Sequence, residues 1–345
     1  MYIKKNYSLT ETAFFNSGRH LAWLIPYTLL VAGLYRYTGL HRFSLPWLPL
    51  SLLGTAVTFY VGFKNNQAYD RLWEARTIWG GIVTSARRWG SNLNALVVPA
   101  ADGTTTAEGL ASAKRALVYR QIAWLYLLRQ QLLAPTAWEH VSQPSLYGQD
   151  ARRKLRKIGL GLFGEDSTQE RLHRYLSAAE RAALPTHHNA AAQLLDRQSQ
   201  QLARLRQAGQ VGDIEHLALQ AILNEFYEHQ GQAERIKNTP FPRQFASVGF
   251  MMVGIFIGML PFGFFSEFSK MGESGIWVAV PFVVLISWVY VLMELVGDYS
   301  ENPFEGLSND VPMLALSRTI EIDLLQQLGE TELPAPIQPI HHVLL

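Results

Sequence analysis

Apolar residues in this 345-residue chain are segregated to its two ends. Residues 21–38 and 47–63 are predominantly apolar near the start, and residues 241–265 and 276–296 near the end. Between them, residues 64–237 contain no run approaching the about 20 apolar residues that cross a bilayer's hydrocarbon core. A soluble protein of this length would distribute its apolar residues through both of the domains it could form. The pattern instead predicts an all-α membrane protein. It has four transmembrane helices, a large helical region over 64–237 outside the bilayer, and a C-terminal tail over 298–345. Segment 47–63 is short for a span and fits one only if broken or packed inside a bundle. Trp23, Tyr27, Tyr35 and Tyr37 stand where an aromatic belt is expected, and Arg36 can snorkel to the interface.

Several function classes fall away on composition. The chain has no cysteine, which removes disulfides, thiolate metal sites and cysteine nucleophiles. A formal charge of +2 is too small to argue for nucleic acid. The N-terminal residues show no short apolar core followed by a small-residue cleavage site, so they do not read as a signal peptide. Most of the 30 Lys and Arg residues lie between 64 and 240. The positive-inside bias then places the helical middle and both termini in the cytoplasm, with the spans in the inner membrane.

The middle reads as helices over 68–98, 107–133, 168–183, 187–207 and 213–237, with 136–168 irregular despite the basic run RRKLRK at 152–157. A further helix is expected over 313–328, and 330–345 is Pro-rich and extended. GLGLFG at 159–164 matches a phosphate-loop pattern, but it follows a basic run rather than a strand and reads as a loop. His187–His188 and His341–His342 are adjacent pairs, which point apart on a helix and make poor joint ligands. No nucleophile–base pair or metal constellation emerges, so no enzyme and no cofactor are expected. Glu294 is an acid inside the fourth span: a functional candidate, or a group that caps a helix end.

Thr55, Phe59 and Phe63 recur every four residues and share one helix face. Spacing alone leaves that face open to core, lipid or a pore. Lys64, Asn65, Asn66 and Gln67 follow at once and read as the point where the helix leaves the bilayer and becomes wet. Arg71, Glu74, Arg76, Arg87 and Arg88, interleaved with Trp73, Trp79 and Trp89, read as a packing and ion-pairing surface.

Three stretches in this order resemble the prokaryotic branch of the bestrophins. They are FYVGFKNNQAYDRLWEARTIWGG at 59–81, ERIKNTPFP at 234–242, and ENPFEGLSNDVPMLALSRTIEIDL at 301–324. The resemblance implies a homopentameric ion channel in the lipid bilayer. Its neck would be lined by Thr55, Phe59 and Phe63, and a second aperture falls near Val211 in the GQVGDIE region. Glu301, Asn302 and Asp310 match the region of the family's calcium clasp. The acidic run is broken here by Gly306, Leu307, Ser308 and Asn309, which argues against calcium and for closure of a subunit interface. Phe ring edges carry partial positive charge, so a paired-Phe neck favours anions such as chloride. A monovalent-cation channel is the alternative. A secondary transporter or membrane scaffold is the alternative of a different class.

Overall fold

The computed structural model describes residues 1–4, 17–38, 44–101, 103, 105–158, 168–272 and 274–345, without the side chains of 146 and 147. The described residues form eleven α-helices and no strand beyond isolated bridges at Tyr2, Ile340 and Val343. The chain divides into two compact units. One unit comprises Lys4–Arg71 and Pro240–Glu301. The other comprises Met1–Ile3, Leu72–Thr239 and Asn302–Leu345.

The first, apolar unit contains α1 (Gly18–Tyr37), the start of α2 (Trp47–Leu96), α9 (Arg243–Phe268) and α10 (Gly275–Asp298). Helices α9 and α10 form a hairpin over a short turn in which Gly272 adopts φ 99°, a backbone state that favours glycine. With its 3-10 extension to Met271, α9 is long and apolar enough to cross a membrane, and so is α10. Among the described residues no other helix passes that test. Helix α1 carries Arg19, His20 and Arg36, and the apolar part of α2 stops at Lys64. Leu30, Leu48, Leu52, Phe250 and Leu285 are exposed in this unit. So much exposed aliphatic and aromatic surface belongs in lipid or an assembly, not in water, and the chain is a membrane protein.

Small residues let the helices of this unit approach closely. A Cβ on Gly54 of α2 would meet the Phe256 ring at 2.9 Å and the Tyr290 hydroxyl at 3.2 Å. The Tyr290 hydroxyl uses that space, donating to the Gly54 carbonyl at 3.0 Å and bonding the Thr58 hydroxyl at 2.8 Å.

The second, bundle unit holds the rest of α2, together with α3 (Ala107–Leu133), α4 (Leu146–Ile158), α5 (Thr168–Tyr175), α6 (Ala178–Ala183), α7 (Ala190–Gln207), α8 (Asp213–Asn238) and α11 (Met313–Gln327). Helix α3 is its axis. Thr106 caps α3 by accepting from the Gly109 N–H at 3.1 Å, and the helix is buried from Gln121 to Arg129. Trp79, Trp89, Trp124, Tyr126 and Phe226 fill the core.

Two sequence expectations change here. The stretch expected to be irregular over 136–168 contains α4, whose buried Ala151 and Leu155 sit four residues apart beneath a strongly basic face. The single helix expected over 168–183 breaks after Tyr175. Ser177 and Glu180 form a capping box that starts α6 afresh.

The polar centre of the bundle is Glu321 on α11, which is fully buried. It accepts from the Tyr126 and Tyr175 hydroxyls at 2.5 Å each, from Arg318 Nε at 2.9 Å and from Arg171 Nη1 at 3.2 Å. Burial, then the adjacent carboxylate, pushes both tyrosines above their ordinary range. Replacing Glu321 by Ala strands two arginines and two phenols. It is expected to destabilise the fold by about 3–5 kcal/mol, seen as a lower unfolding midpoint in a circular dichroism melt.

A candidate ion-pathway face on α2

The start of α2 has two unlike sides. Val57, Val61, Lys64 and Ala68 are buried, while Thr55, Phe59 and Phe63 are exposed. Phe59 is 66 % and Phe63 65 % exposed, values that a Phe in a finished core does not have. The same exposed stripe continues through Asn66, Asp70 and Trp73, stepping three or four residues at a time. The three residues expected at a neck therefore do share one unpartnered face. The Thr55 hydroxyl donates to the Ser51 carbonyl at 3.0 Å, so what it offers outward is an oxygen acceptor and not a free O–H.

The rotation of α2 that exposes this face is fixed by the residues just beyond Phe63. The expectation that the helix turns wet at Lys64 does not hold. Lys64 is 1 % exposed, and its ammonium donates to Glu294 Oε1 on α10. Asn65 Nδ2 donates to the Met293 carbonyl at 2.9 Å. Gly297 makes room for it, since a Cβ there would lie 2.1 Å from Asn65 Oδ1. On the next turn back, Tyr60 stacks on Phe245 with ring centroids 6.1 Å apart and donates to the Gln244 carbonyl at 3.3 Å. Glu294 thus serves as the partner of a buried cation, not as a lone acid in the span. An ion pair in a low-dielectric setting holds its geometry because separating the charges leaves each one unsolvated. The boundary between the two units, after Arg71 rather than after Phe63, follows from these contacts.

The other expected site residues lie elsewhere. Val211 is 2 % exposed and packs in the core of the bundle unit, so it offers no side-chain surface to a passage. The exposed apolar residues of that region are Ile214, at 79 %, and Leu217 on α8, which sequence reading passed over. Their signal was available: two aliphatics in the first turn of a helix otherwise studded with Asp213, Glu215 and His216.

Glu301, Asn302 and Asp310 are buried within their own chain instead of being presented to a neighbour. In the apolar unit, Glu301 lies 3.8 Å from Arg243. In the bundle unit, residues 302–311 form a tight loop. Gly306 takes φ 84° there, and the Phe304 side chain is buried in the core. Glu305 accepts from the His140 N–H at 2.9 Å and from Asn302 Nδ2 at 3.0 Å, with His140 Nδ1 at 3.1 Å. Asp310 accepts from the Leu307 N–H at 2.9 Å. The carboxylates fasten the loop through protein N–H donors. GLGLFG lies outside the described residues.

Burial pushes the Asp310 carboxyl from its ordinary 3.8 up to about 8, and repulsion from Glu305 adds to the shift. The Leu307 N–H, the terminal ammonium group and His140 oppose it. The folded chain therefore keeps a proton that the unfolded chain releases. The stability this provides is complete below about pH 4 and is lost as pH rises toward about 8. Between about pH 5 and 8 the melting temperature of Asp310→Asn is expected to fall less steeply with pH than that of the unsubstituted chain.

Lys64→Met alone leaves Glu294 buried without its cation and is expected to cost about 3–5 kcal/mol. The double variant Lys64→Met/Glu294→Gln is expected to recover much of that loss. The readout is the thermal unfolding midpoint in detergent.

With this geometry in place, comparison with known proteins is informative. Residues 18–326 match the family described as bacterial/fungal bestrophin protein. The chain is 29 % identical over 311 residues to the voltage-dependent anion channel-forming protein YneE of Escherichia coli K12, covering 87 % of this chain and 86 % of that one. It is 25 % identical over 304 residues to a voltage-dependent anion channel-forming protein of Mesorhizobium japonicum, covering 88 % and 82 %. Among solved structures, a bacterial bestrophin homolog from Klebsiella pneumoniae superposes with a TM-score of 0.73 at 22 % identity, over 91 % of this chain and 99 % of that one. Its all-helical fold is the fold described above. The match over residues 18–326 establishes that this chain belongs to the bacterial/fungal bestrophin family.

Proposed function

We propose that this chain is one subunit of a homopentameric anion channel whose neck is lined by Thr55, Phe59 and Phe63. As a bestrophin it is an ion channel of the membrane, not an enzyme. The observation that carries the proposal is the exposure of two consecutive-turn Phe rings on a helix whose opposite side is fully engaged. In this reading α1, the start of α2, α9 and α10 are the four membrane helices, and five copies of α2 bring the exposed face to the axis. The subunit sits in the inner membrane with both termini in the cytoplasm, in keeping with the basic middle of the chain.

The aperture assigned from sequence to Val211 moves to Ile214, the exposed apolar residue three positions on. Rings of Phe can gate by dewetting, and ring edges turned to the axis favour an anion over a cation. The Thr55 oxygen, committed as a donor to Ser51, adds no O–H for the anion, so selectivity rests on the aromatic edges. Both relatives named above are described as forming anion channels, which supports chloride as the permeant ion. A transporter would need an open polar site within the membrane helices. Among the described residues of these helices, the buried charged pair Lys64 with Glu294 is already closed on itself.

Purified protein in a planar bilayer under a KCl gradient is expected to reverse near the chloride potential. Reversal near the potassium potential contradicts the anion assignment. Phe59→Ala/Phe63→Ala is expected to raise conductance and weaken ion discrimination at least severalfold, because the dewetting barrier is removed. Unchanged conductance and selectivity would place the neck elsewhere.

A further inference from the structure

Within the bundle unit a cavity of about 620 Å³ opens between α3, α7 and the α5–α6 turn. Four guanidinium groups line it, those of Arg115, Arg120, Arg197 and Arg204, together with one carboxylate, Glu180. Two of the arginines are neutralised by the protein. Arg120 Nε donates to Glu180 Oε1 at 2.6 Å and Arg120 Nη1 to Gln201, while Arg115 Nε lies 3.5 Å from Glu330 Oε1. The other two are not. Among the described residues, neither the Arg197 nor the Arg204 guanidinium has an ion-pair or hydrogen-bond partner in the protein.

These two stand seven residues apart on α7, close to two helical turns, and so project from one face. Isolated surface arginines are ordinary and solvated. Here, however, two uncompensated cations share a concave wall with two compensated ones, and a low-dielectric concavity focuses their field on whatever enters. The wall is also preorganised. Tyr119 and Tyr175 pack edge to face with centroids 5.0 Å apart. The Tyr119 hydroxyl donates to Glu330 at 2.7 Å and that of Tyr175 to the buried Glu321, so the rings cannot swing into the cavity without breaking these bonds.

We propose that this cavity binds a small soluble anion bearing a phosphate group, gripped by Arg197 and Arg204. The charge balance fits. Glu180 and Glu330 offset Arg120 and Arg115, leaving two positive charges, which suits a phosphate monoester near its dianionic form. The donor geometry fits as well, because each guanidinium presents a planar fork of N–H groups that pairs with phosphate oxygens two at a time. Ser112 at the rim supplies a further hydroxyl. The proposal does not rest on ion conduction, and binding can be measured on a protein that passes no current.

The test is calorimetric titration of the purified full chain in detergent at constant ionic strength. Inorganic phosphate and glycerol phosphate are the probes, and chloride is the control. Saturable binding of both probes, with no matching heat from chloride, is expected. Arg197→Gln/Arg204→Gln is expected to weaken it about tenfold or more. Arg204 is exposed, so Arg204→Gln alone keeps the fold and is expected to weaken binding about threefold or more. Absence of binding beyond the chloride control overturns the proposal, and so does equal affinity in both variants, which would place the anion in the pore. Binding that appears only with phosphatidylglycerol nanodiscs, and not with the free probes, also overturns it, since the site would then be a lipid headgroup site.

Discussion

The buried pair between Lys64 and Glu294 is the interaction on which the candidate pathway depends. In its apolar half α2 is held by the Tyr290 hydroxyl on Gly54 and Thr58 and by packed side chains. Val57 and Val61 pack well, but apolar contacts tolerate sliding among similar rotations. A buried ammonium does not, because any rotation that parts it from its carboxylate leaves two unsolvated charges. The pair follows directly after Phe63, so the same constraint that turns Lys64 inward turns Phe63 and Phe59 outward. Asn65 and the space at Gly297 add a second, shape-based restraint one residue later.

The polar centres of the two units do different work. Lys64–Glu294 orients the proposed neck face of α2. Glu321 instead fastens α11 to α3 and α5 through two tyrosines and two arginines, and Tyr175 of that cluster also forms part of the wall of the arginine-lined cavity. The loop over 302–311 belongs to the second kind. Its carboxylates are spent on His140, Asn302 and the Leu307 N–H. That explains why a segment resembling a family ligand clasp acts here as a fastener for its own chain.

What could be read from the sequence follows a physical rule: features set by neighbours along the chain were legible, and features set by distant partners were not. Helix α3 was plain from the stripe Leu117, Ile122, Leu125, Leu128 and Leu132. The shared face of Thr55, Phe59 and Phe63 was plain from a spacing of four. Lys64 looked wet because its partner stands 230 residues away. Glu301, Asn302 and Asp310 looked like interface groups because the donors for the loop's carboxylates, such as His140, come from another part of the chain. Val211 was placed at an aperture through the resemblance, yet the chain folds its side chain into the core. Helix α4 was hidden by its charge, since RRKLRK shows its apolar side only through single residues on successive turns.

The central claim is that one side of α2, and not the other, meets the permeating ion. The chain contains no cysteine, so single cysteines can be introduced without a background. Each of Thr55→Cys, Phe59→Cys, Phe63→Cys, Val57→Cys and Val61→Cys would be recorded in a bilayer before and after a charged methanethiosulfonate reagent. The account predicts that current changes on modification at positions 55, 59 and 63 and is unaffected at 57 and 61. Modification of current from positions 57 and 61, with 55, 59 and 63 silent, would contradict it.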